Sequence, residues 1–260
     1  MTGRETTGRA AEGVPPVLEA RGLSKSFGPL AAVRGVSLAV APGECLGLVG
    51  RSGSGKSTVA GMVSGLIAPD AGQIVVEGRD VTRARGREAA WLHSRVQMVF
   101  QDARGSFDPR RTLGDGVEDG LRAFGASRAE ARRRAVEMLE RCGLPAEFHA
   151  RFPHEASGGQ CQRAAIARAL ARSPSLLVCD EATSALDVTV QRGVVELLER
   201  LREESGMAVL FICHDMALVS EVCDRVCVMD AGEAVEEGPV EGVLAHPEAP
   251  ATKALLAAVL

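Results

Sequence analysis

The sequence predicts an α/β fold organised around a single anion-binding turn, and three observations predict it. First, the short apolar run Cys45-Leu46-Gly47-Leu48-Val49 reads as a buried strand. It leads into Gly50-Arg51-Ser52-Gly53-Ser54-Gly55-Lys56-Ser57-Thr58 and then into a helical stretch at 59–66. The nine residues fit the phosphate-binding pattern G-x-x-x-x-G-K-[ST], and strand, loop, helix is the context that gives that pattern chemical meaning. Second, two further apolar runs end in polar groups: 176–179 at Asp180-Glu181, and 208–213 at His214. In a parallel sheet the carboxyl edge is where ligands bind. Third, residues 112–155 carry charged and apolar residues at helical spacing with no strand-like interruption, which predicts a helical insert on the flank of the sheet.

Composition narrows the function classes. A chain of 260 residues suits one large domain, or a domain with a subdomain. A net charge of -4 argues against a general nucleic-acid-binding surface. No apolar run reaches the roughly 18 residues of a membrane span. Residues 1–13 are polar and charged, unlike a secretory signal, and read as a loose tail. The cysteine count is seven, odd and scattered, as expected of reduced buried thiols rather than a disulfide framework. Cys213, His214, Cys223 and Cys227 lack C-x-x-C spacing, and Cys227 lies in an apolar run, which disfavours a metal site there.

In chain order, 17–20 and 36–40 read as strands around a turn at Phe27-Gly28-Pro29. Phe27 is a candidate platform for an adenine ring, although core packing is the commoner fate of a phenylalanine. In the loop, Gly50, Gly53 and Gly55 allow positive φ and close approach. Successive backbone N–H groups then form an anion nest at a helix start. Lys56 can reach outer phosphates, and the Ser57 hydroxyl can ligate Mg²⁺. A turn at 69–72 and a strand at 73–76 follow. Arg79, Arg83, Arg85 and Arg87 lie in a stretch expected to be a solvated polar linker. The alternating strand 96–100 ends at Gln101, whose amide oxygen could reach a metal ion and its water, or could simply bond backbone. In the insert, Arg132, Arg133 and Arg134 suit a solvated face with a Glu130–Arg134 pair.

Ser157-Gly158-Gly159-Gln160 opens a helix at 161–171 as a capping box, and its glycines also leave donors free for a phosphate. At the end of 176–181, Asp180 would hold Mg²⁺ through water, and Glu181 would polarise an attacking water. Ser184-Ala185-Leu186-Asp187 precedes a helix at 188–204. His214 ends the strand 208–213, with Asp215 as a local partner. Closing strands at 225–230 and 233–236 flank Gly232, and 240–260 is helical in parts.

Taken in order, the loop, Gln101, Ala156-Ser157-Gly158-Gly159-Gln160, Asp180-Glu181, Ser184-Ala185-Leu186-Asp187 and His214 resemble the nucleotide-binding subunit of ABC transporters. The resemblance covers roughly 17–238. It implies a P-loop NTPase (RecA-like) core with an antiparallel β subdomain and an α-helical subdomain at about 112–160. The cassette would span 15–242, between a flexible tail (1–14) and a short C-terminal helical tail (243–260). It also implies roles: Phe27 for adenine; the loop 50–58 for the phosphates of ATP; Ser57, Gln101 and Asp180 for Mg²⁺. Glu181, His214 and Gln101 would serve hydrolysis. Ser157, Gly158, Gly159, Gln160 and Asp187 would meet ATP held by a second subunit.

The segment Phe100-Gln101-Asp102-Ala103-Arg104-Gly105-Ser106-Phe107-Asp108-Pro109-Arg110-Arg111-Thr112 is similar to that of the oligopeptide, dipeptide and nickel importer branch. Ala156, Cys161 and Ala182 depart from common residues of the family, but none removes a phosphate or metal ligand. The resemblance implies an ATPase that powers import of peptides, nickel or a similar small solute. It would work as a head-to-tail nucleotide-sandwich homo- or heterodimer with two membrane permease subunits and, indirectly, a solute-binding protein. It would sit peripherally on the cytoplasmic side of the cell membrane. A soluble helper ATPase of phosphonate (carbon–phosphorus lyase) metabolism is the alternative.

Overall fold

The computed structural model describes residues 14–182 and 187–257. The expected loose tail at 1–13, and Ser184, Ala185 and Leu186 of the Ser-Ala-Leu-Asp run, lie outside the described residues. The larger sheet contains β3 (Cys45–Val49), β6 (Val96–Val99), β7 (Leu176–Asp180), β8 (Ala208–Cys213), β9 (Arg225–Asp230) and β10 (Glu233–Pro239). Its order is β10-β9-β3-β8-β7-β6, parallel throughout except for the β9–β10 hairpin. The smaller sheet is antiparallel, with β1 (Leu18–Phe27), β2 (Leu30–Val40), β4 (Ala71–Val76) and β5 (Arg79–Asp80) in the order β2-β1-β4-β5.

The period of two along each parallel strand sends side chains to two cores. Leu46 and Leu48 of β3, Val178 of β7 and Leu210 of β8 face one side, where α1 (Lys56–Val63) and the small sheet bury Val59, Met62, Leu18 and Ile74 with them. Cys45, Cys179 and Phe211 face the other side. There they meet α5 (Gly158–Leu170), α6 (Val188–Ser205) and α7 (Met216–Val222) through Ile166, Val194 and Val219. Both faces are covered, so the strands read as continuous apolar runs. Gly47 lies under α7, where a Cβ would come within 2.8 Å of Val219 Cγ1. All seven cysteines are free and buried.

The helical insert comprises α3 (Leu113–Ala123) and α4 (Arg128–Arg141) with two short 3₁₀ turns at Ala146–Ala150 and Pro153–Glu155. Thr112 caps α3 by accepting from the Asp115 N–H at 3.1 Å. Inside the insert, His149 Nε2 and Glu118 Oε1 meet at 2.7 Å, both buried. The expectation of a solvated arginine face holds for Arg132 and Arg133, which are exposed. Arg134 departs from it: besides pairing with Glu130 at 3.9 Å, it donates to the Ala171 carbonyl at 2.8 Å and ties α4 to the end of α5.

Two helices went unannounced by periodicity. The polar linker contains α2 (Arg87–Arg95), which buries only Leu92 and sets Trp91 under the Arg79 guanidinium, 4.6 Å from its ring centroid. With one buried residue it shows no apolar stripe to read. The seven-residue α7 is too short to display one. Beyond β10 lie α8 (Val240–Ala245) and α9 (Pro250–Ala257). Among the described residues, no helix is long and apolar enough to cross a membrane.

Candidate functional site

The turn between β3 and α1 forms the candidate phosphate cradle. Gly53 (φ 80°) and Gly55 (φ 102°) lie in the left-handed region expected of them. At Gly50 the requirement is space: a Cβ would lie 2.2 Å from the Met229 carbonyl oxygen and 2.6 Å from Ser54 Oγ. The β9–β10 hairpin braces the loop from behind, where the Gly232 N–H donates to the Ser54 carbonyl at 3.1 Å. The helix expected at 59–66 starts earlier, at Lys56, with Gly55 as its cap and no side-chain cap. Its first turn therefore opens onto the loop with its N–H groups available to an anion. Arg51, Ser52 and Ser57 are exposed, Thr58 is half-buried, and Ser54 and Lys56 are buried.

Lys56 folds back across the cradle, donating to the carbonyls of Gly50 (2.8 Å) and Arg51 (3.0 Å). Burial pushes its ammonium below the ordinary lysine range, while Glu181 and Asp180 act in the opposite direction. The Ser57 hydroxyl donates to Asp180 Oδ1 at 3.1 Å, joining two groups 123 residues apart in the chain. Burial raises the Asp180 carboxyl, against the Ser57 hydrogen bond and with the repulsion of Glu181. Glu181, read as the last residue of a strand, instead leaves it. Its backbone takes φ 47°, and its N–H donates to the Ile212 carbonyl at 3.0 Å. A non-glycine residue there is strained, by about 1–3 kcal/mol.

His214 follows β8 and is exposed. Asp215, expected as its partner, caps α7 instead, accepting from the N–H groups of Ala217 (2.8 Å) and Leu218 (3.4 Å). Arg51, Ser52, Glu181 and His214 line one cavity of about 680 Å³, together with Ala254 and Leu255 of α9. Gln101 lies just past β6 and is exposed. Phe27 ends β1 and is 48% exposed, so it is a surface ring rather than core, with Lys25 Nζ 5.7 Å from its centroid. Asp70 fixes that strand end by accepting from Lys25 Nζ and the Ser26 N–H, each at 2.8 Å.

The remaining candidates form a second group. Ser157 Oγ accepts from the Gln160 N–H (3.2 Å), and Gln160 Oε1 accepts from the Ser157 N–H (2.8 Å), completing the expected capping box. The helix begins at Gly158 rather than Cys161. Gly158 is exposed, and a Cβ on Gly159 would lie 2.4 Å from Val190 Cγ1 of α6. Asp187 caps α6, accepting from the Val190 N–H at 3.0 Å. The starts of α5 and α6 are thus side by side. Among the described residues, none of 157–160 and not Asp187 lines the 680 Å³ cavity. The chain presents the candidate cradle at one place and the Ser157–Gln160 turn at another.

Sequence reasoning missed the arginines that tie the segment after Gln101 to α5 and the residue before its cap. Arg104 donates to the Ala156 carbonyl. Arg168 donates to the Ser106 carbonyl (2.7 Å) and hydroxyl (2.8 Å) and stacks over Phe107, 4.3 Å from its centroid. Nothing local marks either arginine, because both partners are distant in sequence. Ala254 and Leu255 at the cavity were missed for the same reason.

The fold and the cradle define a P-loop nucleotide-binding protein of the α/β class. Residues 33–184 match the ABC transporter family. The oligopeptide transport ATP-binding protein OppF of Salmonella typhimurium is 45% identical over 232 residues, 88% of this chain and 70% of that protein. Among solved structures, cbiO1 of Clostridium perfringens, part of the ABC transporter complex cbiONQ, superposes with a TM-score of 0.80 at 27% identity, covering 89% of this chain and 91% of that one. The ATP-binding cassette MJ0796, solved as a dimer in a post-hydrolysis state with ADP and Pi, gives 0.77 at 30% identity, over 86% and 98%. The chain belongs to the ABC transporter family as an ATP-binding, ATP-hydrolysing cassette.

Proposed function

We propose that this cassette powers import of peptides or a similar small solute, working as one of two ATPase subunits on a pair of membrane permease subunits at the cytoplasmic face. The observation that carries the ATPase part is the Ser57–Asp180 hydrogen bond. A loop hydroxyl and a strand-end carboxylate meet beside a buried lysine, as a triphosphate site requires. The peptide cargo is inferred from the name and 45% identity of the OppF protein. In this reading residues 15–242 are the cassette, with its helical subdomain at about 112–160, and 243–260 form its tail.

ATP lies with its phosphates in 50–58 and its adenine on Phe27. Lys56 exchanges the Gly50 and Arg51 carbonyls for the outer phosphates. Ser57, Asp180 and Gln101 offer hydroxyl, carboxylate and amide oxygens, a hard donor set that fits Mg²⁺. When bound, that ion would neutralise charge on the phosphates. Ser157, Gly158, Gly159, Gln160 and Asp187 of a second subunit close over the same nucleotide. The attacking water's oxygen bonds to the γ-phosphorus as Glu181 takes its proton, and the bond to the β–γ bridging oxygen breaks. ADP and inorganic phosphate result, with His214 holding the γ-phosphoryl group. A cavity of about 500 Å³ beside Phe100, lined by Met98, Phe107, Arg111 and Asp119 between β6 and the insert, suits a permease segment.

Glu181→Gln tests this reading. It should retain ATP and accumulate as a closed dimer, with hydrolysis reduced roughly 10²–10⁴-fold, the usual contribution of a general base. Near-normal hydrolysis in that variant removes Glu181 from its role.

A further inference from the structure

The C-terminal helix returns to the nucleotide site, and a dedicated clamp puts it there. Glu236 of β10 accepts from the N–H of Glu248 through Oε1 (2.9 Å) and from the N–H of Ala249 through Oε2 (2.9 Å). Oε2 also accepts from the Thr252 hydroxyl. Thr252 is fully buried. These donors surround the start of α9, where Pro250 at the first position has no N–H to satisfy. Burial pushes the Glu236 carboxyl up, but the Thr252 hydroxyl and the two amides more than offset this and hold it below its ordinary range.

Thr252 and Leu255 are three residues apart and share a face of α9. Pinning the helix at Thr252 therefore sets where Leu255 falls. Leu255 and Leu256 rest partly buried against the core, and Ala254 and Leu255 also line the cavity shared with Arg51, Ser52, Glu181 and His214. Simple coverage of β9 would need only the apolar contact. It does not explain a carboxylate that satisfies three donors at the helix start, nor an apolar side chain beside a glutamate and a histidine.

We propose that Glu236 is a positioning residue for ATP hydrolysis: through Thr252 it fixes α9 so that Leu255 forms an apolar wall of the nucleotide cavity. The proposal rests on the roles given to Glu181 and His214 above. The wall keeps bulk water from those two groups once nucleotide is bound. Charge interactions are stronger where water is excluded, and a wall fixed beforehand needs no rearrangement during the reaction.

The test compares Leu255→Ala, Leu255→Met and Glu236→Gln in the full chain within its transporter complex, using ATP and a fluorescent ATP analogue. Glu241→Gln, an exposed residue of α8, serves as the control. Leu255→Ala should lower kcat by about 5–10-fold with KM and analogue affinity within about twofold, the pattern of an interaction made in the transition state. Leu255→Met, which conserves volume, should restore kcat to within about twofold. Glu236→Gln, which leaves three donors facing a single acceptor oxygen and an amide N–H₂ that is itself a donor, should reproduce the Leu255→Ala pattern. The proposal is overturned if Leu255→Ala or Glu236→Gln hydrolyses ATP at the parent rate, or if Leu255→Met is as impaired as Leu255→Ala. Should either of the first two fail to fold, the other decides. If Glu181→Gln is inactive while these variants are normal, only the wall fails. If Glu181→Gln is itself active, the site reading fails and the wall with it.

Discussion

Arg225 opens β9 and serves two largely buried carboxylates at once. It donates to Glu44 Oε1 at 2.6 Å and pairs through its other terminal nitrogen with Glu237 of β10. The three side chains are 16%, 10% and 9% exposed. Glu44 Oε2 also accepts from the Ala41 N–H at 2.6 Å. Arg225→Met would keep much of the stem's volume and strand both carboxylates. Breaking a buried pair from one side costs about 3–5 kcal/mol. Uptake of a proton limits that cost, so it must depend on pH. Burial already raises the Glu237 carboxyl, against the pull of Arg225 and with the repulsion of Glu44. A raised carboxyl means that the folded chain binds its proton more tightly than the unfolded chain. Its stability contribution is therefore full below the ordinary carboxylate range and is lost as pH rises through the folded value. Removing Arg225 raises the folded value further and widens that window. Urea unfolding should show a loss of about 3–5 kcal/mol at pH 8, shrinking as pH falls toward 5. Adding Glu44→Gln and Glu237→Gln should recover most of it. Hydrolysis should persist in the folded fraction, because Arg225 pairs with Leu46 while the cradle follows Val49 at the far end of β3. A loss below about 1 kcal/mol with no pH dependence would refute the picture of a desolvated charge triad.

Two further outcomes follow from the packing of the loop and of α5. Gly55→Ala places a Cβ 2.4 Å from the Ala32 carbonyl oxygen at φ 102°, a strain of about 1–3 kcal/mol; ATP affinity should fall about tenfold or more, and an unchanged binding isotherm would count against the cradle geometry. Arg168→Met removes two hydrogen bonds to Ser106 and the contact with Phe107. Taking the charged hydrogen bonds to Ser106 together at about 1.5–3 kcal/mol and the ring contact at about 0.5–2 kcal/mol, the loss in urea unfolding should be about 2–5 kcal/mol, and a near-neutral change would show that this tie is not formed in solution.

What the sequence alone determined is whatever a few consecutive residues can encode. The cradle with its glycines, the Ser157–Gln160 capping box and the apolar strands ending at Asp180 and Cys213 are of this kind, because each is closed by hydrogen bonds or side-chain alternation within a few positions. Order along the chain was enough to bring out the family. Tertiary structure decided the rest. It brought Ser57 to Asp180, left Phe27 at the surface instead of the core, turned Glu181 out of its strand and gave Asp215 to a helix cap rather than to His214. It also tied Arg168 to Ser106 and gathered Glu44, Arg225 and Glu237. It carried α9 back to the cradle through Glu236. Most of these contacts join residues tens to hundreds of positions apart, and such pairs meet only once the strand order β10-β9-β3-β8-β7-β6 is set. That order comes from burying both faces of the sheet at once, a condition on the whole chain that no short window of residues contains.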